Sequence, residues 1–378
     1  MFIVNNYFLA VVLCIITMLC WGSWGNTQKL AAKSWRYELF YWDYVIGVLL
    51  FSLLAGFTLG SSGESGRAFV VDLLQADSGN IISAIIGGII FNASNILLSA
   101  SISLAGLAVA FPLGVGLALV LGVFINYFSA PKGDPTLLFI GVALIVVAII
   151  LNSVAAGKKK ATGEESGKSN KKGIILAIVA GVLMSMFYRF VAAAMDLNNF
   201  EAPAEGMLTP YSAFFIFAIG IFISNFVFNT YVMKKPFVGQ PVSYKEYFKG
   251  GTKLHLVGVL GGIIWSLGTL LSYIAAGKAG AAISYALGQG APMIAAIWGV
   301  FIWKEFKGSG KTVNQLLTAM FIFFIVGLSL IVVAGNSDEK TVECNKNEVI
   351  AVILETDMAN DIDDAMALDM LYKYMDEG

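Results

Sequence analysis

Two polar stripes lie inside apolar stretches of the chain and repeat each other at a fixed spacing. Asn92, Asn95 and Ser99 fall at positions i, i+3 and i+7, which share one face of an α-helix. The second stripe stands 174 residues later and consists of Ser266, Thr269 and Tyr273. Amide and hydroxyl groups on two facing stripes can hydrogen-bond a small polar solute within a membrane. The alternative is that these side chains hold neighbouring helices together.

Asp43 is one of two charged residues within the apolar stretches and lies near the predicted cytoplasmic end of its stretch. Burying an ionisable side chain in a membrane span costs about 2.5–3.5 kcal/mol on insertion scales, so such a residue usually has a function. A carboxyl group in this position can carry a coupling proton, and we predict that role for Asp43. The alternative is a pairing near the membrane surface with basic residues of the first loop, namely Lys29, Lys33 and Arg36.

Two further kinds of side chain are candidate solute contacts. Arg189 is the other charged residue inside an apolar stretch, and its guanidinium group can hold a carbonyl-rich solute or pair with Asp196. Trp21 and Trp24 belong to an aromatic cluster around the first loop. Aromatic side chains at this depth are typical interfacial anchors, but they can also stack on a planar ring.

Gln289 lies where an apolar stretch is interrupted by glycine and proline. The interruption consists of Gly288, Gly290 and Pro292, and a matching one stands at residues 112–116. Glycine and proline weaken a helix and free backbone groups, and paired interruptions of this kind are typical of solute sites in transporters. Close helix packing through small residues is the alternative. We predict that Gln289 contacts the solute.

Ten apolar stretches of about 18 to 25 residues position these candidates. Each is long enough to cross roughly 30 Å of hydrocarbon as an α-helix. The predicted spans are 7–25, 39–59, 81–104, 107–130, 136–155, 173–195, 208–230, 254–276, 279–303 and 313–334. The chain is 58% hydrophobic and has a mean hydropathy of +0.78. These features predict an all-α, multi-pass membrane protein.

The two halves of the chain are related. The motif GGII at 87–90 recurs at 261–264, at the same offset of 174 residues as the polar stripes. A basic, polar linker at 157–172 separates a first repeat, 1–156, from a second, 173–334. Because each half holds an odd number of spans, the second is inverted relative to the first. Such a 5+5 inverted repeat is typical of secondary transporters, which move one half against the other around a midplane site.

Lysine and arginine residues concentrate on one side of the predicted spans. They cluster in the loops that follow spans one, five, seven and nine. The positive-inside rule assigns these loops to the cytoplasm. Both termini are then predicted to lie outside a cell (inner) membrane.

Four short motifs carry a resemblance to a known family. They are CWGSWGNTQK at 20–29, FYWDY at 40–44, RFVA at 189–192 and LTPY at 208–211. Over residues 7–334 the chain resembles the ureide permease-like branch of the drug/metabolite transporter superfamily, close to its glucose/ribose and rhamnose porters. The resemblance implies a proton-coupled carrier of ureides, nucleobases or sugars that needs no cofactor.

The tail after the last span has a pattern of its own. Beyond a polar linker, 335–347, residues 348–378 contain a predicted strand, an acidic turn and a predicted helix, which form a short α/β stub. This segment resembles the start of a nucleoside hydrolase. For a complete domain the resemblance implies a Ca²⁺ and ribose site at Asp357, Asp363 and Asp364. So short a segment is not expected to hydrolyse anything alone, and a disordered acidic tail is the alternative.

These features together predict a secondary active transporter. We predict import of a nucleobase, a ureide or ribose through the lipid bilayer, with H⁺ rather than Na⁺ as the coupling ion. Three alternatives stay open: a monosaccharide proton symporter, an exporter of the drug/metabolite type, and a membrane anchor for a split nucleoside hydrolase whose remainder is a separate protein. Neither an enzymatic activity nor a nucleic-acid partner is predicted.

Overall fold

The structure is a computed structural model that describes residues 1–31, 34–63, 65–105, 107–161, 171–237, 239–304 and 306–344. One compact unit extends over Met1–Asp338, and Glu339–Gly378 forms a second. Of the second unit only residues 339–344 are described, as the end of a helix. The predicted α/β stub, with Asp357, Asp363 and Asp364, lies outside the described residues.

The described residues fold into helices joined by loops. The α-helices are α1 (Tyr7–Ser23), α2 (Gly25–Ala31), α3 (Tyr37–Phe57), α4 (Phe69–Gln75), α5 (Ser78–Ala105), α6 (Leu107–Ser129), α7 (Pro135–Ala161), α8 (Lys171–Ala193), α9 (Pro210–Lys234), α10 (Tyr244–Phe248), α11 (Thr252–Ala279), α12 (Ala281–Gly288), α13 (Ala291–Ile297) and α14 (Lys311–Cys344). A π-helix over Trp298–Ile302 continues α13. Within the described ranges, β-type pairing is limited to one bridge between Met195 and Leu208.

Nine helical segments of the described chain are long and apolar enough to cross a membrane. They coincide with predicted spans one to three and five to ten. The fourth predicted span corresponds to α6, whose described apolar part, Leu113–Ser129, is shorter than the other nine. The protein is therefore a multi-pass integral membrane protein, and its fourth predicted span stays a prediction.

The two predicted helix interruptions have different outcomes. In the ninth predicted span, α12 ends at Gly288 and α13 begins at Ala291, so the helix breaks around Gln289. In the fourth, α6 is helical without a break through Gly114. A Cβ atom on Gly181 of α8 would lie only 2.5 Å from the Gly114 carbonyl oxygen. The predicted break in α6 is therefore wrong, because small residues serve close helix packing there.

Helices α3 and α11 cross where their backbones approach closely. A Cβ atom on Gly262 would lie 2.0 Å from the carbonyl oxygen of Tyr44, and one on Gly47 would lie 2.3 Å from that of Val259. Contacts this short exclude a side chain at either glycine. Glycine at both positions therefore permits the crossing.

Helices α5 and α9 cross in the same way. A Cβ atom on Gly88 would lie 2.2 Å from the carbonyl oxygen of Phe217, and one on Gly220 would lie 2.4 Å from that of Ile85. Each of these four residues stands 173 or 174 positions from its counterpart in the first crossing. The same close approach is thus made once between α3 and α11 and once between α5 and α9.

Short helices follow two equivalent spans, α4 after α3 and α10 after α9. Helix α4 packs against α9, and α10 reaches α3 through the Tyr247 side chain. With seven and five residues, these helices are too short for an apolar period to predict them. They place polar side chains at the ends of the bundle, where the charged sites described below are built.

Candidate functional site

A small cavity of about 50 Å³ lies inside the helix bundle. Its polar side chains are Asn95 of α5 and Gln289 from the break between α12 and α13. Aromatic rings form most of the remaining wall, namely Trp21, Trp24, Phe91, Phe187 and Trp265. The wall residues come from both halves of the chain.

Trp265 of α11 organises the aromatic part of this wall. Its ring stacks on Phe91 with 4.5 Å between the centroids and lies nearly parallel to Trp21, at 6.5 Å. The Trp21 indole N–H donates to Thr269 Oγ1 (3.1 Å), and the Thr269 hydroxyl donates to the Trp265 carbonyl oxygen (3.0 Å). Thr269 therefore orients the Trp21 ring and does not line the cavity itself.

Asn92 and Asn95 of the first stripe have different surroundings. The Tyr41 hydroxyl donates to Asn92 Oδ1 (3.0 Å) and accepts from Asn95 Nδ2 (3.2 Å). The Asn92 amide also donates to Ser224 of α9 (2.9 Å). Asn92 therefore joins three helices, as the helix-packing alternative describes, whereas Asn95 also lines the cavity.

The remaining stripe residues lie away from the cavity. Ser99, Ser266 and Tyr273 are buried, and none of them belongs to the cavity wall. Among the described residues, Ser266 Oγ and the Tyr273 hydroxyl have no hydrogen-bond partner. Of the two stripes, Asn95 alone reaches the described cavity wall directly, while Thr269 acts through Trp21.

Gln289 reaches the cavity because the helix is broken at its position. Its backbone N–H donates to the Tyr285 carbonyl oxygen (2.9 Å) and ends α12, and α13 restarts with Pro292 in its first turn. Proline cannot donate the hydrogen bond that a continuous helix requires. The break therefore holds a buried carboxamide at the same cavity as Asn95.

Arg189 lies apart from the other predicted solute contacts. It lines a groove at the ends of α6 and α8 that shares no wall residue with the cavity. Its predicted partner Asp196 instead accepts from the backbone N–H groups of Asn198 (3.2 Å) and Ala204 (3.0 Å). In the described part of the chain, Arg189 and Asp196 form no ion pair.

Asp43 forms a hydrogen-bonded cluster with three side chains from other elements. Its Oδ1 accepts from the Tyr247 hydroxyl (2.6 Å) and lies 2.8 Å from Nδ1 of His255. Its Oδ2 accepts from the Trp35 indole N–H (3.3 Å). Asp43 is only 1% exposed. We call Trp35, Asp43, Tyr247 and His255 the α10 cluster.

Asp43 pairs within the α10 cluster, whereas the alternative prediction paired it with basic residues of the first loop. Arg36 forms an ion pair with Glu38, and Lys29 lies over the ring of Trp303, 4.5 Å from its centroid. Lys33 lies outside the described residues. Asp43 is therefore held by groups from α10, α11 and the segment before α3.

His255 is the functional candidate that sequence reasoning missed, because its position at the start of span eight is typical of an interfacial residue. One signal was present: it is the chain's only histidine and lies on the same predicted membrane side as Asp43. Burial, and then the Asp43 carboxylate that its hydroxyl faces, raise the pKa of Tyr247. Tyr247 therefore stays a neutral hydrogen-bond donor to Asp43.

A second charged site ties α4 to the start of α9. The side chain of Arg67 places Nε 3.2 Å from Asp72 Oδ1, and the Thr209 backbone N–H donates to Asp72 Oδ2 (2.8 Å). Arg67 also donates to the carbonyl oxygens of Pro203 (2.8 Å) and Ala204 (2.9 Å). We call Arg67, Asp72 and Thr209 the α4 knot. Periodicity could not predict it, because Arg67 and Thr209 come from two separate loops and Asp72 from the short helix α4.

Comparison with known proteins identifies the family. The sequence model of the family described as Ureide permease matches residues 40–172 and 157–334. The chain belongs to the ureide permease family. Ureide permease 1 and Ureide permease 4 of Arabidopsis thaliana are 23% and 22% identical to it, over 86% and 89% of this chain and 97% and 99% of their own.

This ureide permease family member also resembles a bacterial uptake protein in sequence and a protein of known structure in fold. Glucose uptake protein GlcU of Bacillus subtilis (strain 168) is 28% identical over 67% of this chain and 76% of its own. One protein of known crystal structure has a TM-score of 0.58 at 15% identity, over 86% of this chain and 98% of its own, and shows a similar fold.

Family membership makes this chain a membrane transporter. The family match includes Asp43, Asn95, His255 and Gln289. Trp21 and Trp24 precede it. It ends at residue 334, before the tail. The wider superfamily and the resemblance to a nucleoside hydrolase stay predictions.

Proposed function

We propose that this permease carries a small, flat and uncharged solute of the ureide or nucleobase class. The observation that carries the proposal is the cavity wall, which combines aromatic faces with two carboxamide side chains, Asn95 and Gln289. The names of Ureide permease 1 and Ureide permease 4 point to the same class of solute.

The chemistry of the wall matches that class. Trp21 and Trp265 lie nearly parallel and offer faces on which a planar ring can stack. Ureides and nucleobases present carbonyl acceptors and N–H donors, and a carboxamide can pair with both. The cavity wall that the structure describes contains no charged side chain. A neutral solute therefore leaves no charge unpaired in the bundle.

The cavity is too small for a solute in this conformation. Its volume of ≈50 Å³ lies well below the roughly 300 Å³ at which small-molecule sites begin. A solute can enter only after the aromatic wall separates. We therefore assign solute binding to a conformer in which the helices that carry Trp21 and Trp265 have moved apart.

Alternating access is the mechanism that fits the architecture. The two glycine crossings, α3 with α11 and α5 with α9, use residues at matching offsets and support a 5+5 inverted repeat with α6 as the fourth span. In such a repeat, one half moves against the other around a central site. We propose import through a cell membrane, with the α10 end cytoplasmic and both termini outside.

We further propose that the α10 cluster binds the coupling proton. The Asp43 carboxylate and the His255 imidazole lie 2.8 Å apart, inside a cluster that joins α3, α10 and α11. Carboxylate and imidazole side chains form the proton relays of membrane transporters, and this cluster contains one of each. Because three elements meet at this pair, its protonation state can bias how they pack.

A sugar is the second candidate solute. The observation that favours it is the similarity to Glucose uptake protein GlcU, which has the highest identity among the relatives named above. Tryptophan faces can also pack against a sugar ring, and carboxamides can bind its hydroxyl groups. The ureide and sugar candidates therefore predict that different solutes accumulate.

Uptake into proteoliposomes that contain the purified full chain tests the proposal. Labelled uracil, allantoin, ribose and glucose are offered separately under an imposed pH gradient. We expect uracil or allantoin to accumulate and both sugars to stay at background. Accumulation of a sugar without uracil or allantoin would replace the ureide proposal with the sugar one.

Substitutions in the cavity wall test whether the cavity binds the solute. We expect Asn95→Leu and Gln289→Leu each to raise the KM for uptake about tenfold, because a buried polar group of the solute loses its partner. Thr318→Val is the matched control, since this exposed hydroxyl bonds only to Asn314 of its own helix (3.0 Å). Equal effects in control and cavity variants would remove the cavity from the proposal.

A further inference from the structure

A second, larger space opens on the flank of the bundle. It is a groove of about 590 Å³ between the last turns of α6 and α8, next to the first residue of α12. Its polar side chains are Asn126, Ser129 and Arg189. Phe124 and Phe128 of α6 also line it and are 42% and 71% exposed. The solute cavity does not need this groove, since the two share no wall residue.

Among the described residues, no acidic side chain supplies a counter-charge to Arg189. It lies within the span Lys171–Ala193, four residues before the end, which is about 6 Å along a helix axis. Across the described ranges, no aspartate or glutamate forms an ion pair with it, and Asp196 is bound to backbone N–H groups. A guanidinium inside a membrane span pairs with an anion or reaches the interface. Arg189 is exposed, so an anion from outside the described chain can reach it in the groove.

Asn126 supplies the second, independent observation. Its side chain is 1% exposed and lines the groove. Its Nδ2 donates to the Gly122 carbonyl oxygen (2.7 Å), whereas its Oδ1 has no hydrogen-bond partner among the described residues. A buried carbonyl-type acceptor calls for a donor. The groove thus lacks an anion at one position and a hydrogen-bond donor at another.

We propose that this groove binds the head group of one aminophospholipid, with the phosphate on Arg189 and the ammonium group on Asn126 Oδ1. A guanidinium fits a phosphate diester with two parallel hydrogen bonds, and an ammonium group donates to a carboxamide oxygen. The exposed rings of Phe124 and Phe128 offer an apolar surface to the start of the acyl chains. Phosphatidylethanolamine carries both required groups, whereas the trimethylammonium group of phosphatidylcholine cannot donate.

Native mass spectrometry of the purified full chain tests this assignment. Detergent-solubilised, delipidated protein is mixed with equal amounts of phosphatidylethanolamine and phosphatidylcholine. We expect one retained phosphatidylethanolamine with a preference of at least about tenfold over phosphatidylcholine. We expect Arg189→Ala to lose retention of both lipids and Asn126→Leu to lose the preference alone. Arg189→Lys should keep part of the retention, because it keeps the positive charge.

Lys278→Ala is the matched control, because it removes an exposed basic residue that does not line the groove. It should bind lipid as the wild type does, and thermal unfolding of each variant checks that it is folded. Equal retention of the two lipids by the wild type would overturn the proposal. So would unchanged retention in Arg189→Ala, or a thermal shift by inorganic phosphate that matches the shift by phosphatidylethanolamine, because the groove would then be a site for soluble anions.

Discussion

The α4 knot and the α10 cluster are equivalent in place and different in chemistry. In the first, the short helix α4 of the first half meets the beginning of α9. In the second, the short helix α10 of the second half meets the beginning of α3. In the α4 knot a guanidinium faces Asp72, which also accepts from a backbone N–H group. In the α10 cluster an imidazole faces Asp43, and every partner is a side chain.

Because of this difference, the contacts of the α4 knot are permanent, whereas those of the α10 cluster can change. Arginine keeps its charge at every physiological pH, whereas histidine gains or loses a proton between pH 5 and 8. A backbone donor stays in place as long as the loop does, while side-chain donors can rotate away. We therefore expect the α4 knot to govern stability and the α10 cluster to govern transport.

Asp72→Ala should have the largest effect, and it should be an effect on stability. Removing one partner of a buried pair leaves Arg67 and the Thr209 N–H without their acceptor, which costs about 3 kcal/mol. Thermal unfolding in detergent should show the same loss at pH 5.5 and 7.5, since the guanidinium does not titrate. Glu205→Ala, an exposed acid of the neighbouring loop, is the control. An equal loss in both variants would mean that the knot adds nothing.

Asp43→Asn should instead leave the fold intact and abolish accumulation. With one proton per solute, a gradient of one pH unit can drive about tenfold accumulation, which corresponds to about 1.4 kcal/mol. The amide keeps the size and shape of the side chain and can still accept from Tyr247, but its NH2 group cannot accept from the Trp35 N–H, and the side chain cannot carry the proton. We expect uptake to stop at equal concentrations, while exchange of labelled for unlabelled solute continues.

Glu246→Gln is the matched control for this variant. It is also an acid-to-amide change at the α10 end, but the Glu246 carboxylate accepts from the Ser243 backbone N–H (2.6 Å) and caps its own helix. Accumulation should persist in it. Loss of both accumulation and exchange in Asp43→Asn would contradict a coupling role, because a defect in proton coupling leaves exchange possible.

Much of this comparison could not be predicted from the sequence. Hydropathy predicted nine of the described spans, because a bilayer imposes length and composition on each helix separately. The offset of 174 residues between the two halves also led to the prediction of both polar stripes. The α4 knot was not foreseen, since Arg67 and Thr209 are brought together by chain folding and not by a local period.

The candidate site shows the same limit. Gln289 and Asn95 were predicted and do line the cavity, because a helix break and a helical face are local features. The partner of Asp43 was not predicted, since His255 is 212 positions away and its role depends on how α11 packs against α3. Gly258 permits that approach, because a Cβ atom there would lie 2.4 Å from Asp43 Cβ. Sequence pattern predicts elements and faces, whereas partners follow from packing.

His255→Gln should have a smaller effect, which appears as a changed pH profile. Glutamine can still hydrogen-bond Asp43 but cannot be protonated. Proton occupancy of the wild-type pair rises as pH falls, so its uptake should be faster at pH 5.5 than at pH 8. The variant should take up solute at similar rates at both values. Lys253→Gln, an exposed cation at the start of α11, should keep the wild-type profile, and a flat profile there would locate the pH response elsewhere.

Tyr247→Phe should have the smallest effect, because Asp43 keeps two of its three partners. Loss of one such hydrogen bond weakens the tie between α10 and α3 by about 1 kcal/mol. If this tie closes the α10 end, accumulation should persist while the transport rate changes by up to about fivefold. Tyr231→Phe, an exposed tyrosine on α9, is the control and should leave the rate unchanged. A loss of accumulation in Tyr247→Phe would mean that the hydroxyl belongs to the proton site and does more than hold the helix.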